Sequence, residues 1–406
     1  MSGLNSYKTN REIEKQVFSS SDVRATIPPI AQYFFFVIFI SASFLGIWPT
    51  NSGSLVPVTL LLDFWLLALT TFSVVNGLSK IKIPALLLIA FSVLALISSL
   101  GSGALISDFA LSYRWLLYTV VIILLSKYKW PQISILEQLA YFLVSLAIFK
   151  ELLHRLTSSE VSRAGLLVEN NFELPLYLGL LVLLREHISA KSFWLLLTAL
   201  SILTFLEESR SGFGAFFLVL FFAAASSKVR TKQKIIILLS IGIPGAVGGL
   251  WVWAQRAPDS FAQIDRIQFF NIFLTEVESW SFTKWLFGNP PLTALTPSSC
   301  GKLSFYESAF SAIGDGTCYS VILHSFLLRV VFDSGVIGLL VAVTVPLAVM
   351  LKNKTPLLVA LTLIGIGLAN SLSVSGFNNP FVVIPFILAT MTSNLNYRDN
   401  RVTRIQ

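Results

Sequence analysis

One histidine and several arginines in the second half of the chain have the side chains needed for acid–base and anion-binding chemistry. His324 opens the stretch His324-Ser325-Phe326-Leu327-Leu328-Arg329, directly before a long apolar run. Arg210 lies in Ser209-Arg210-Ser211-Gly212, and Arg266 follows Asp265. An imidazole with an ordinary pKa of about 6.5 can accept a proton at neutral pH. A guanidinium group binds phosphate through paired hydrogen bonds, so these residues predict proton transfer beside a bound anion.

Other kinds of chemistry lack their motifs in this chain. There is no Gly-rich loop ending in Lys-Ser or Lys-Thr, which argues against intracellular nucleotide hydrolysis. His154, His187 and His324 are not spaced as metal ligands, and no Asp-x-Asp pair occurs, so we expect neither a metal nor another cofactor. The absence of a Gly-x-Ser-x-Gly elbow argues against acyl transfer.

Composition predicts the elements that must carry these residues. Of the 406 residues, 55% are apolar and 12% are charged, and the mean hydropathy is +0.76. These values are typical of an integral membrane protein and not of a soluble domain. Apolar runs of roughly 15 to 22 residues recur along the chain, and an α-helix satisfies its own backbone in lipid. We therefore predict an all-α, polytopic bundle of about 12 transmembrane helices.

The predicted helices divide the chain into five regions. They cover about residues 30–48, 55–76, 83–100, 109–125, 133–153, 172–185, 192–206, 212–227, 235–253, 321–351, 355–375 and 381–394. The regions are a cytoplasmic tail 1–29, nine helices in 30–253, a large periplasmic loop 254–323, three helices in 324–394 and a cytoplasmic tail 395–406. The N-terminal segment is polar and has no signal-peptide core, so we expect the first helix to be retained.

The positions of the basic residues predict the orientation of the bundle. Of the 29 Lys and Arg residues, 19 fall in the two tails and in alternate connections between helices. The positive-inside bias then places both termini in the cytoplasm and the large loop outside. This distribution accounts for most of the net charge of +8 without a nucleic-acid partner.

Structural explanations compete for two of the candidate arginines. Arg210 stands next to free N–H groups of a helix N-terminus, which favours an anion, but it could instead pair with Glu207 or Glu208. Arg163 could bind a substrate or could pair with Glu169, an exposed contact of about 0–1 kcal/mol.

Three further charged residues also have two explanations each. Glu173 suits the positive end of the helix dipole in the first turn of a predicted helix. Arg329 is four residues before Asp333, the spacing of a helical salt pair. Arg114 either extends to the outer headgroups or faces a substrate.

The large loop contains a predicted surface helix and both cysteines. The sequence Asp265–Phe270 is amphipathic, which predicts a helix lying across the outer surface. Cys300 and Cys318 are the only cysteines, and an oxidising compartment outside the membrane allows a disulfide between them. Such a bond would close a loop of about 19 residues and stabilise it by roughly 3 kcal/mol in the chain-entropy model.

One histidine with several arginines suits the transfer of a sugar from a diphosphate-linked lipid. A diphosphate leaves without a proton if fixed cations meet its growing charge. The attacking hydroxyl must lose a proton, which an imidazole can accept. A single displacement of this kind inverts the anomeric centre and needs no metal.

The order of the motifs resembles the bacterial O-antigen ligase and polysaccharide polymerase superfamily over about residues 110 to 350. The motifs are Arg163 with Glu169-Asn170-Asn171, then Ser209-Arg210-Ser211-Gly212, Asp265-Arg266, Trp285-Leu286-Phe287-Gly288-Asn289, and His324-Ser325 with Gly335 and Gly338. The resemblance implies that Arg210 and Arg266, with Arg163 as a further candidate, hold the diphosphate and that His324 is the base. Glu169, Glu207, Glu208 and Arg329 are candidates for contacting the acceptor or supporting these residues.

The resemblance implies a glycosyltransferase of the bacterial inner membrane with an undecaprenyl-diphosphate-linked glycan as donor. The acceptor is the next lipid-linked repeat unit for a polymerase or the lipid A core for a ligase, and a chain-length regulator is a further candidate partner. The Glu-Asn turn after Arg163 favours the polymerase. A flippase for lipid-linked glycans is the alternative of another class, although the charged residues are concentrated at the outer ends of the helices and not at mid-membrane.

Overall fold

The computed structural model of the protein describes residues 25–48, 54–75, 83–130, 132–157, 164–168, 170–226, 265–311 and 314–392, and two single residues at 239 and 247. Helices dominate this part of the chain. They are α1 Pro29–Gly46, α2 Val58–Val75, α3 Ile83–Gly101, α4 Ile106–Leu125, α5 Ile133–Thr157, α6 Asn170–Leu184, α7 Ala190–Glu207, α8 Arg210–Ser226, α9 Asp265–Val277, α10 Phe282–Phe287, α11 Pro297–Lys302, α12 Phe326–Lys352, α13 Leu357–Ser371 and α14 Pro380–Thr392.

The helices confirm an all-α architecture that is compatible with a membrane bundle. Within the described residues, seven helices are long and apolar enough to cross a membrane, namely α1, α2, α3, α4, α5, α7 and α12. Four shorter apolar helices, α6, α8, α13 and α14, accompany them. The predicted helix 235–253 lies outside the described residues, apart from the two single residues at 239 and 247. The predicted helix 321–351 begins later than expected, at Phe326, because Ser320–Leu323 form a separate 3₁₀ turn that ends at His324.

Helices α6 and α14 form the centre of the bundle. Every residue of α14 is buried, and α14 contacts α4, α6, α12 and α13. Apart from Asn170, Asn171 and Glu173 at the start of α6, both helices are mostly apolar on all sides, which is typical of helices enclosed by others. They approach closely at Gly179, where a Cβ atom would lie 2.5 Å from Cγ of Pro385. A residue without a side chain is therefore required at this crossing.

One end of the bundle carries the described part of the large loop, and we call it the loop face. The N–H of Phe326, at the start of α12, donates to the carbonyl of Val374 at 3.0 Å. The side-chain amide of Asn379 donates to the carbonyl of Phe172 at 2.8 Å. These bonds place the starts of α6, α12 and α14 and the end of α13 together at the loop face.

The other end of the bundle carries a set of basic residues, and we call it the opposite face. Here the strands β1 Ala25–Thr26 and β2 Tyr128–Lys129 form a short parallel pair. The N–H of Trp130 donates to the carbonyl of Met391, near the end of α14. The described basic residues in or beside the connections at this face are Lys127, Lys129, Arg185, Lys191, Lys352 and Lys354.

The close approach of α6 and α14 generates a stability prediction. We expect Gly179→Ala to destabilise the protein by about 1–3 kcal/mol, because the new methyl group overlaps the Pro385 ring. The measurement is the thermal unfolding midpoint of the protein purified in detergent.

The matched control for Gly179→Ala is Gly214→Ala in α8. A Cβ atom at Gly214 would meet nothing within 4 Å, and alanine favours the helix more than glycine does. We expect the midpoint of Gly214→Ala to be unchanged or slightly higher. Equal midpoints for the two variants would contradict the packing at Gly179.

Candidate active site

His324 lies at the junction between the loop and α12. It ends the 3₁₀ turn Ser320–Leu323 in a left-handed conformation with φ 50°, and its side chain is exposed at the loop face. This conformation costs a non-glycine residue about 1–2 kcal/mol. The hydroxyl of Ser325 donates to the carbonyl of Ser371 at 3.1 Å, which ties the junction to the end of α13. The backbone around the imidazole is therefore held in a fixed, strained position.

Two aromatic side chains from the loop flank the imidazole of His324. The Phe269 ring of α9 has its centroid 5.5 Å from that of the imidazole, and the Tyr306 ring has its centroid 5.2 Å away. Phe269 is buried, whereas the imidazole stays accessible. The loop thus orients His324 without enclosing it.

Arg266 belongs to the same part of the loop face as His324. It lies three residues before Phe269 on α9, and residues with this spacing share a helix face. Its side chain is half-buried. The predicted helix in this stretch is confirmed and extends to Val277. The helix α9 therefore brings one guanidinium into the neighbourhood of the imidazole.

Arg210 is the first residue of α8, at the loop face. The hydroxyl of Ser209 accepts the N–H of Gly212 at 3.1 Å and caps the helix. At Gly212 a Cβ atom would lie 2.6 Å from Cδ2 of Leu174, so the start of α8 packs directly against α6. Glu208, one of the predicted partners of Arg210, forms a salt bridge of 3.0 Å with Arg155. Glu207, the other one, is buried.

Glu173 has a structural role that the helix-dipole argument did not predict. Its buried carboxylate accepts the N–H groups of Leu166, Leu167 and Val168 at 2.8, 2.5 and 3.0 Å. It thereby fixes the segment that precedes α6 at the loop face. Arg163 and Glu169 lie outside the described residues, so their predicted roles stay predictions.

The predicted salt pair between Arg329 and Asp333 is an attraction between two buried charges and not a direct ion contact. Instead, Asp333 accepts a hydrogen bond of 2.7 Å from the hydroxyl of Ser320. Arg329 is buried, and one of its terminal nitrogens has no hydrogen-bond partner within the described residues.

A glycine contact joins the loop to α12. The helix α12 is interrupted at Gly335, which has φ 65°, and a Cβ atom there would lie 2.1 Å from the carbonyl oxygen of Leu286. The N–H of Asn289 donates to the carbonyl of Phe332 at 2.8 Å. The motif Trp285-Leu286-Phe287-Gly288-Asn289 thus fits against the interrupted helix, and Gly335 is required there both for its conformation and for its lack of a side chain.

Asn378 fills a second interruption, in α4. Tyr113 has non-helical dihedral angles inside this helix. The N–H of Trp115 donates to the side-chain oxygen of Asn378 at 2.9 Å, and the side-chain amide of Asn378 donates to the carbonyl of Leu111 at 2.6 Å. One side chain therefore occupies the place of the helical bond between Leu111 and Trp115. Sequence reasoning missed this residue, because its partners lie more than 260 residues away along the chain.

The interruption in α4 is next to a buried ion pair. The Arg114 guanidinium lies 3.4 Å from the Asp63 carboxylate, measured from Nε to Oδ2. The hydroxyl of Tyr118 donates to the other carboxylate oxygen of Asp63 at 2.6 Å. The charge of Arg114 is therefore partly compensated by Asp63 within the bundle. Its side chain does not simply extend to the lipid headgroups.

Cys300 and Cys318 are neighbouring free thiols in the structure. The Cys300 sulfur lies 4.0 Å from the carbonyl oxygen of Cys318. Burial raises the pKa of both thiols above the ordinary value. The disulfide between them stays a prediction, which the proximity of the two residues makes testable.

No family model, characterised protein or solved structure matches the chain. Within the described residues, no group of three or more His, Cys, Asp or Glu side chains could hold a metal ion. The side chains at the loop face that could transfer a proton or bind an anion are an accessible imidazole and several guanidinium groups.

The contact at Gly335 generates a second prediction. We expect Gly335→Ala to displace α10 from α12, because the new methyl group overlaps the Leu286 carbonyl in a conformation that alanine avoids. The expected loss of stability is about 1–3 kcal/mol, measured as the unfolding midpoint together with the rate of proteolysis in the loop.

Gly301→Ala is the matched control, because this glycine lies in the same loop and a Cβ atom there would meet nothing within 4 Å. If Gly335→Ala were as stable and as resistant to protease as Gly301→Ala, the fit of the loop against α12 would be refuted.

The cysteines generate a third prediction. In protein from cells that export the loop, we expect denatured chains to take up no alkylating label before reduction and two labels after it. The measurement is the intact mass. The remaining thiol of Cys300→Ser should be labelled without reduction, and two labels on the unreduced natural chain would rule out the disulfide.

Proposed function

We propose that this protein is a membrane glycosyltransferase that moves a glycan from undecaprenyl diphosphate to a hydroxyl of an acceptor sugar. The favoured activity is the polymerisation of O-antigen or exopolysaccharide repeat units in lipopolysaccharide or exopolysaccharide biosynthesis. The proposal joins the resemblance in motif order with the arrangement of residues at the loop face.

The main support for the proposal is the surroundings of the imidazole of His324. Its accessible imidazole lies between the Phe269 and Tyr306 rings, and Arg266 precedes Phe269 by one helical turn. A proton acceptor and a guanidinium therefore come from one small region of the loop face. An exposed histidine in a strained backbone conformation is typical of a functional position.

The proposed reaction is a single displacement. The acceptor hydroxyl oxygen attacks the anomeric carbon of the donor sugar and gives its proton to the imidazole of His324. The bond between the anomeric carbon and the phosphate oxygen breaks, and the diphosphate leaves with the electron pair. Arg266 and Arg210 stabilise the negative charge that develops on it. The product has the inverted configuration, and the reaction uses no metal and no cofactor.

The distribution of basic residues along the sequence supports the proposed topology. Of the 29 Lys and Arg residues, 19 fall in the two tails and in alternate connections, which suits a cytoplasmic side of an inner membrane that includes the opposite face. In this arrangement the loop face is periplasmic, both termini are cytoplasmic and the chain crosses the membrane twelve times. The glycan donor would then be used at the outer leaflet.

We expect His324→Gln to lower the rate of glycan transfer by about 10²–10⁴-fold, because the acceptor hydroxyl loses its base. The variants Arg266→Lys and Arg210→Lys should also lose glycan transfer, since the point charge of lysine does not replace the two hydrogen-bonding edges of the guanidinium. The measurement is the elongation of a synthetic lipid-diphosphate repeat unit by purified protein in detergent without added metal.

His187→Gln is the control, because His187 lies between α6 and α7 at the opposite face. It should transfer glycans at the natural rate. Near-normal transfer by His324→Gln would eliminate the mechanism. Transfer to lipid A core without elongation would identify a ligase, and a complete lack of transfer by the natural protein would favour a transporter.

A further inference from the structure

The exposure of α12 changes along its length. From Phe326 to Val336 the helix has no exposed residue. Beyond that point, exposed residues recur every three or four positions, at Ile337, Leu340, Thr344, Ala348 and Leu351. The helix is long and apolar enough to cross a membrane. An apolar exposed stripe with helical spacing on such a helix is the side that faces lipid.

This lipid-facing stripe ends next to Gly335, where α12 is interrupted. The helical stretch from Gly335 to Lys352, which lies at the opposite face, is roughly 25 Å long at about 1.5 Å per residue. The hydrocarbon core of a bilayer is about 30 Å thick. Gly335 therefore lies near the boundary between hydrocarbon and headgroups on the side of the loop face.

The short helix α10 lies at the same depth, because its backbone touches Gly335. A Cβ atom at Gly335 would lie 2.1 Å from the carbonyl oxygen of Leu286 and 2.5 Å from the N atom of Phe287. The N–H of Asn289, just after α10, donates to the carbonyl of Phe332 at 2.8 Å. These contacts fix α10 beside the upper end of the lipid-facing stripe.

The side chains of α10 divide into an apolar side and a basic side. Phe282 and Phe287 are 77% and 64% exposed, and Leu286 follows Phe282 by one turn. Lys284 lies nearly opposite Leu286, since two residues correspond to about 200° of helix rotation. Its ammonium group lies 5.4 Å from the ring centroid of Trp280. Exposed phenyl groups on one side and a lysine on the other are typical of a helix at a membrane interface.

The small size of α10 favours lipid over a protein partner as the group that covers its phenyl rings. The helix has only six residues. A stable protein interface takes roughly 800 Å² from each partner, which is far more than two phenyl groups provide. Single apolar side chains at the depth of the headgroups need only the adjacent lipid chains to leave water.

The helix α10 is also connected to the residues around His324. Trp285 of α10 packs edge-on against Phe273 of α9, with ring centroids 6.4 Å apart. Phe269 lies one helical turn before Phe273, and its ring centroid is 5.5 Å from that of the His324 imidazole. A fixed depth of α10 would therefore also fix the height of this imidazole above the hydrocarbon.

We propose that α10 is an interfacial anchor, whose Phe282 and Phe287 side chains insert among the lipid chains at the loop face while Lys284 stays at the level of the phosphate headgroups. The anchor binds the surface of the bilayer and not one particular lipid molecule. This assignment does not depend on the proposed glycan transfer, because it follows from the depth and the side chains of α10.

The test is the depth of spin labels on α10 in nanodiscs of phosphatidylethanolamine and phosphatidylglycerol. Electron paramagnetic resonance measures how often each label collides with oxygen, which concentrates in hydrocarbon, and with a water-soluble nickel complex. We expect the ratio of oxygen to nickel collisions to be severalfold higher for Phe282→Cys and Phe287→Cys than for Lys284→Cys. Leu340→Cys gives the reference value for a residue of the lipid-facing stripe.

The labelled chains carry Cys300→Ser and Cys318→Ser, so that only the introduced thiol reacts. A second measurement leaves both cysteines in place and puts photoreactive benzoylphenylalanine at the position of Phe287. On irradiation in the same nanodiscs, the intact mass should increase by that of one phospholipid.

The anchor is refuted if the labels at both phenylalanine positions collide with nickel as often as the label at Lys284 does. It is also refuted if irradiation joins two protein chains and adds no phospholipid, because a second copy would then cover α10. Insertion of α10 by a protein that transfers no glycan would reject the proposed function and leave the anchor in place.

Discussion

A backbone N–H or carbonyl group that lacks its helical hydrogen bond inside an apolar bundle needs another hydrogen-bond partner. This constraint determines the geometry of the loop face. An unsatisfied N–H or carbonyl in such surroundings costs several kcal/mol. In α4 the side chain of Asn378 replaces the missing bond between Leu111 and Trp115. In α12 the helix is interrupted at Gly335, and the backbone of α10 at Leu286 packs directly against this glycine. Both irregular helices are therefore fixed by groups that are distant along the chain.

These interruptions place charged side chains where regular helices would not. Arg114 follows the break in α4, and Arg329 and Asp333 precede the break in α12. His324 belongs to a strained turn that two loop aromatics contact. The groups proposed to react lie at helix ends and in the loop, whereas the central helices α6 and α14 are apolar and tightly packed. Rigid scaffolds with chemistry on their connecting segments are common in enzymes.

The sequence was sufficient for the all-α architecture and for the apolar helices of the described residues, because apolar runs are a local signal. It also indicated His324, whose ring contacts Phe269 of the helix that carries Arg266. It was only partly right for Arg329, whose charge attracts that of Asp333 as the helical spacing suggested, while the direct hydrogen bond to Asp333 comes from Ser320. No local pattern could have revealed Asn378, since its role depends on how α4 and the segment before α14 meet in three dimensions.

The burial of α14 on all sides has a consequence for biogenesis. This helix is synthesised after the other thirteen described helices, yet it occupies the middle of the bundle. Chains fold from the N-terminus as they emerge, so the earlier helices enter the membrane before the element that they surround. Until α14 arrives, α4, α6, α12 and α13 expose the surfaces that it later covers. The nascent protein must therefore pass through an open intermediate, which membrane insertases and quality-control proteases would encounter before the finished bundle exists.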